Sequence, residues 1–245
     1  MRESLGLLAR ELAPVVGVGR SALRRHPAWT DRGPGDGRGL GVVVVPGFGG
    51  ADASMAVLRS WLADRGYRPT GAGLGINVGC SAELVDRLEA RVAAHAETTG
   101  GPVVLVGHSR GGWLGRLVAV RRPELLRGLV MLGTPVLNPL DTRAAVTVAR
   151  RALVRLAELG VRGVLERDCI DGTCRAATEA GLTAPLAMPA VAFFSRADGV
   201  VGWRSCLDPA AEHVEVTCSH TAMVQDAGLF TALAPRLAAW VPARY

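Results

Sequence analysis

Two stretches, Gly41 to Val45 and Pro102 to Val106, contain no polar residue and are mostly valine. A strand with one face in water alternates apolar with polar side chains, whereas an unbroken run of this length belongs to a strand covered on both faces. Such strands lie in parallel sheets, and parallel neighbours need long crossover connections, usually helices. The intervening sequence supplies them. Residues 54–65 carry Val57, Leu58, Trp61 and Leu62 at helical spacing. Ser81 is positioned to cap a helix running through Leu84, Leu88 and Val92 and closed by Gly100-Gly101. Further helices are predicted at 113–122 and 229–239, and further strands at 128–132, 190–195 and 214–217. No internal repeat is present. The chain reads as one α/β domain with a mostly parallel sheet.

Composition narrows the function. Of 245 residues, 49% are hydrophobic and 20% charged, which excludes a disordered chain and is ample for a core. The net charge is +6, and all 28 basic residues are arginine. Arginine without lysine points to GC-rich codons and a high-GC bacterial source. The arginines are scattered and no aromatic residues interleave with them, so nucleic acid is not expected as a partner. No segment reaches the roughly 18 apolar residues of a membrane span. Met1 to Ala13 carries Glu3 and Glu11 and lacks the basic start followed by an apolar run of a secretory leader, so the expected location is cytoplasmic. That segment reads as an amphipathic helix packed on its own domain, with peripheral membrane contact as the alternative. A Gly-rich connector, 31–39, follows it, giving an N-terminal unit at 1–39 and the main domain at 40–245. The five cysteines cannot form a complete disulfide framework, and their spacings do not match zinc sites. Cys169 with Cys174, and Cys206 with Cys218, are the pairs that an oxidising compartment could close.

The informative motif is Gly107-His108-Ser109-Arg110-Gly111. A G-x-S-x-G sequence is weak alone, but here a buried strand precedes it and a helix follows directly. That is the setting of a nucleophile elbow, a strained turn that lifts a serine hydroxyl clear of the sheet. A serine needs a base and an orienting acid. Only His213 and His220 follow Ser109. His213 opens a predicted strand, whereas His220 lies just past that strand's carboxyl end, where open α/β sheets carry their sites. Asp198 falls just past the strand 190–195, with Gly199 allowing a turn. Asp208 and Asp226 are the alternative acids. Pro46-Gly47-Phe48-Gly49-Gly50 ends the first strand and can present backbone N–H groups to an oxyanion, with the N–H groups of Phe48 and Arg110 as the predicted donors. The loop lacks the last glycine of a G-x-G-x-x-G nucleotide motif, position 52 being Asp52, so no nucleotide cofactor is expected.

These motifs, with Ser195-Arg196-Ala197-Asp198-Gly199 and Ser219-His220, resemble the α/β-hydrolase superfamily and its bacterial lipase/esterase-like branch. Pro46-Gly47 stands where the oxyanion loop usually opens with His-Gly. The resemblance runs from about Gly41 to the C-terminus. It implies an α/β-hydrolase fold with helices on both faces, and serine-based acyl transfer without metal or organic cofactor. It also implies that residues 135–189, which the sheet does not need, form a helical cap or lid. Residues 143–159, with Val146, Ala149, Leu153 and Leu156 at helical spacing, read as one cap helix, and 162–180 as a second near Cys169.

The expected reaction is hydrolysis of a carboxylic ester or thioester with a hydrophobic acyl part, on a small-molecule or lipid-like substrate. Ser109 is the nucleophile, His220 the base and Asp198 the acid that orients it. His108 and Trp203 are candidate pocket residues. A biosynthetic acyltransferase, cyclase or thioesterase would use the same acyl-enzyme. A non-catalytic ligand-binding protein on the same scaffold is the third reading, and the complete Ser, Asp and His set weighs against it.

Overall fold

The computed structural model describes residues 19–31, 37–142 and 144–243. The predicted helix at Met1 to Ala13 and most of the Gly-rich connector lie outside them. Two short helices, α1 (Gly19–Arg25) and α2 (Pro27–Thr30), precede β1 (Gly41–Val45). Then come α3 (Ala56–Asp64), β2 (Arg68–Gly71), α4 (Ser81–Thr99), β3 (Val103–His108), α5 (Arg110–Arg121) and β4 (Leu126–Leu132). After them follow α6 (Ala144–Glu158), α7 (Asp168–Asp171), α8 (Thr173–Thr183), β5 (Ala190–Ser195), β6 (Glu212–Val216) and α9 (Ala227–Ala239). The six strands form one sheet in the order β2-β1-β3-β4-β5-β6, with every pairing parallel.

The period-two geometry of a strand explains the unbroken valine runs, because successive side chains enter opposite layers. Val42, Val44, Val104, Val106, Val130 and Leu132 pack into one core with α3 and α9, where Trp61 stacks on Phe230 at 4.7 Å. Val43, Val45, Val103, Leu105, Leu129 and Met131 pack into the other, against α4 and α5. A buried ion pair joins these layers to residues past β5: Arg116 Nε lies 2.6 Å from Asp208 Oδ2, with both side chains almost wholly enclosed. The same guanidinium donates to the carbonyls of Gly181 (2.9 Å) and Ala184 (3.0 Å), anchoring the end of α8.

Several elements depart from the sequence reading. β2 was not expected, since Arg68-Pro69-Thr70-Gly71 has no strand signature; at the sheet's edge the missing N–H of Pro69 is tolerated. Helix α5 starts at Arg110 rather than Trp113, so no loop separates the elbow from its helix. Ser81 does not cap α4: Cys80 holds the cap position, and the Ser81 hydroxyl accepts a hydrogen bond from Arg110 at 3.3 Å. In α6 the inward side runs through Val146, Arg150, Leu153 and Val154, whereas Ala149 and Leu156 are exposed. An arginine takes the inner position because its head group donates to the Pro139 carbonyl at 3.1 Å. Residues 162–180 form two short helices, α7 and most of α8, rather than one. Among the described residues no helix is long and apolar enough to cross a membrane.

Candidate active site

The parallel sheet gathers its functional residues at the carboxyl edge. Ser109, one residue past β3, has φ 51° and ψ −122°, and its N–H donates to the Leu132 carbonyl at 2.7 Å. That positive φ is strained for a side-chain-bearing residue and marks a functional turn. The flanking glycines are required by space. A Cβ at Gly107 would lie 2.4 Å from Gly112 Cα, and one at Gly111 would lie 2.4 Å from the Val45 carbonyl oxygen. The strand, the turn and the helix therefore pass too close for any other residue.

Past β5, Asp198 is buried. Its Oδ1 accepts the N–H groups of Val200 (2.8 Å) and Val201 (2.7 Å), and its Oδ2 lies 2.6 Å from His220 Nδ1. Nδ1 donates to the carboxylate, which leaves Nε2 as the basic nitrogen. His220 and Ser109 line one cavity of about 1020 Å³. The alternative acids are engaged elsewhere: Asp208 holds Arg116, and Asp226 caps α9 by accepting from the Leu229 N–H at 2.8 Å. His213 donates to the Asp208 carbonyl at 2.7 Å and is not among the cavity residues.

Phe48, on the loop after β1, also lines the cavity. Among the described residues the backbone N–H groups of Phe48 and Arg110 donate to no protein group. The side chain of Arg110 is buried. It lies 5.8 Å from the Phe48 ring and 5.3 Å from the Trp113 ring, and donates to Asn77 Oδ1 (3.1 Å) and the Gly79 carbonyl (2.7 Å). Burial pushes it down to about 10.

Asn77, which the sequence reading missed, is fully buried and fixes this loop. Its amide donates to the Pro46 carbonyl at 2.8 Å, and its backbone pairs with Gly49 (3.0 Å) and Gly50 (2.8 Å). A polar residue amid the glycines of 71–79 was the only signal.

His108 is among the residues that line the cavity. It donates from Nε2 to the His220 carbonyl at 3.0 Å, with ring centroids 4.6 Å apart. Burial, reinforced by the neighbouring His220, pushes His108 down to about 3, so it stays neutral. Trp203 is not in the cavity wall. It stacks on Phe194 at 5.6 Å, with Arg196 and Arg204 over its ring, because the 3₁₀ turn at Trp203–Cys206 directs it onto β5. The wall is mainly apolar, with Met55, Val57, Trp113, Val146 and Val200 contributing, and Arg110 of α5 and Arg150 of α6 are cationic residues in its lining.

All five cysteines are free thiols. Burial pushes Cys206 and Cys218 up, Cys218 to about 12. Among the described residues one group of side chains is close enough to share a metal ion: Cys80, Cys169 and Cys174.

The chain's fold is widely shared. The Bacillus licheniformis lipase BlEst2 in mature form superposes with a TM-score of 0.58 at 16% identity, covering 82% of this chain and 92% of that one. The thioesterase domain from the curacin biosynthetic pathway gives 0.57 at 14% identity, covering 83% and 92%. The 2-hydroxy-6-oxo-6-phenylhexa-2,4-dienoate hydrolase from Rhodococcus sp. strain RHA1 gives 0.57 at 16% identity, covering 85% and 92%. At these identities the likeness establishes the fold. No curated protein matches the sequence. A family model described as "Alpha/beta hydrolase family" matches residues 42–244, nearly the whole of the described domain, and the chain belongs to that family.

Proposed function

We propose that the protein is a serine hydrolase that cleaves carboxylic esters or thioesters with a hydrophobic acyl part. The observation that carries this reading is the buried 2.6 Å contact between His220 Nδ1 and Asp198 Oδ2 behind a serine held at positive φ, with Ser109 and His220 on one cavity wall. His220 Nε2 takes the Ser109 proton as Oγ attacks the acyl carbon, and Asp198 balances the imidazolium. The N–H groups of Phe48 and Arg110 receive the oxyanion. The intermediate collapses, the alcohol or thiol leaves with the proton from His220, and an acyl-enzyme remains. A water deprotonated by His220 then releases the acid and restores Ser109.

The apolar wall suits a hydrocarbon acyl chain, and the volume is at the upper end of ordinary ligand pockets, about 300–1000 Å³. Residues 135–189 serve as the cap, Val146 and Arg150 of α6 forming part of the acyl site. A specific feature favours a substrate that also carries an acidic group: Arg150 has no carboxylate partner among the described residues, and its charge is disfavoured by burial and by Arg175. The test is turnover of a panel of p-nitrophenyl esters of graded chain length. The expected result is measurable kcat with wild type and loss of at least about 10³-fold in Ser109→Ala. Equal turnover by folded Ser109→Ala would refute the assignment.

A further inference from the structure

The cap meets the core at three sulfurs. Cys80 sits at the cap position of α4, Cys169 in α7 and Cys174 in the first turn of α8. Cys174 Sγ lies 3.8 Å from Cys80 Sγ and 3.6 Å from Cys169 Sγ, and all three atoms fall within 4.8 Å of one another. Thiolates around a tetrahedral ion with metal–sulfur bonds of about 2.3 Å stand about 3.8 Å apart, close to both of these separations. A disulfide would draw two sulfurs to about 2.05 Å and leave the third odd.

Burial disfavours the thiolate at all three sulfurs, and the neighbouring backbone opposes that effect. The cluster lies at the N-terminus of a 19-residue helix, where the backbones of Ser81, Ala82 and Glu83 favour the thiolates of Cys169, Cys174 and Cys80. N–H groups and the positive end of a helix dipole stabilise thiolates. The cationic head of Arg110 is close enough to feel all three sulfurs. Arg110 is 5% exposed, yet among the described residues its guanidinium bonds only neutral acceptors: Asn77, Gly79 and Ser81. A buried cation without a counter-charge is costly. Three thiolates with one divalent ion carry a net charge of −1, which is the charge Arg110 lacks.

We propose that Cys80, Cys169 and Cys174 bind a soft divalent cation, Zn²⁺ by chemistry, which fastens the cap helices to α4 and balances Arg110. Binding converts three thiols and Zn²⁺ into a tris-thiolate complex and releases three protons, with water in the fourth position. Because coordination displaces the thiol protons, affinity rises with pH.

The full chain, reduced and stripped with chelator, is dialysed against Zn²⁺ and assayed by elemental analysis, then alkylated with iodoacetamide and peptide-mapped. The expected result is one zinc per chain and chelator-reversible protection of Cys80, Cys169 and Cys174. Cys174→Ser weakens binding by more than about 100-fold, while Cys206→Ser retains it. Substoichiometric zinc, absence of protection, equal zinc retention in folded Cys174→Ser, or a disulfide among the three in air-purified protein would each overturn the proposal. The wild-type protection map decides the matter even if the variant does not fold, and no step of it reads ester turnover.

Discussion

Replacing Asn77 with alanine tests how the oxyanion loop is held. The substitution removes the 2.8 Å bond to the Pro46 carbonyl and the 3.1 Å bond from Arg110, both in a fully buried site. Arg110 keeps its 3.3 Å bond to the Asn77 backbone carbonyl, whereas the buried Pro46 carbonyl loses its side-chain donor, so stability should fall by about 1–3 kcal/mol. The backbone pairs with Gly49 and Gly50 survive, so the loop loosens without detaching. Removing an oxyanion donor outright costs about 10²–10³ in rate, and a displaced Phe48 N–H should therefore cost about 10–100-fold in kcat. KM should change little, because these donors act chiefly on the transition state. Asn77→Asp keeps the acceptor for Arg110 and removes only the donor to Pro46, so it should share the loss in kcat. Urea unfolding gives the first quantity and steady-state ester hydrolysis the second. Wild-type kcat in both folded variants would refute the idea that Asn77 positions the loop.

Asp208→Ala leaves the Arg116 guanidinium buried without its carboxylate and should cost about 3–5 kcal/mol by urea unfolding, whereas Arg116→Met with Asp208→Leu should recover much of it; equal losses would contradict the ion-pair account. His108 is held near 3 when folded against about 6.5 when unfolded, so the unfolded state binds the extra proton between these values. Its contribution to stability is complete above about pH 6.5 and is lost as pH falls toward 3, by up to about 1.4 kcal/mol per pH unit. Thermal melts from pH 7 to 4 should show a shallower decline in His108→Asn than in wild type, and parallel curves would count against this.

The sheet was legible because an unbroken apolar run has one physical meaning, and β1 and β5 begin and end where the sequence placed them. Ser109, Asp198 and His220 were legible for a related reason: each follows a strand, and parallel strands bring their carboxyl ends together. What escaped depends on contacts between distant residues. β2 has no apolar pattern and is a strand only because β1 offers it a ladder. Trp203 looked like a pocket residue by type, but stacking on Phe194 directs it elsewhere. The inner position of Arg150 follows from one carbonyl, that of Pro139. The cysteine cluster was invisible to spacing because Cys80 stands at the start of α4 and its two neighbours in α7 and α8, about 90 residues further along the chain.

The most direct test of the central claim is intact mass after treatment with a fluorophosphonate, which reacts with activated serines. The account predicts a single adduct on wild type, mapped to Ser109, none on Ser109→Ala, and much slower labelling of Asp198→Asn, whose His220 loses the carboxylate that orients it. An unlabelled, folded wild type, or an adduct that persists in Ser109→Ala, would contradict it.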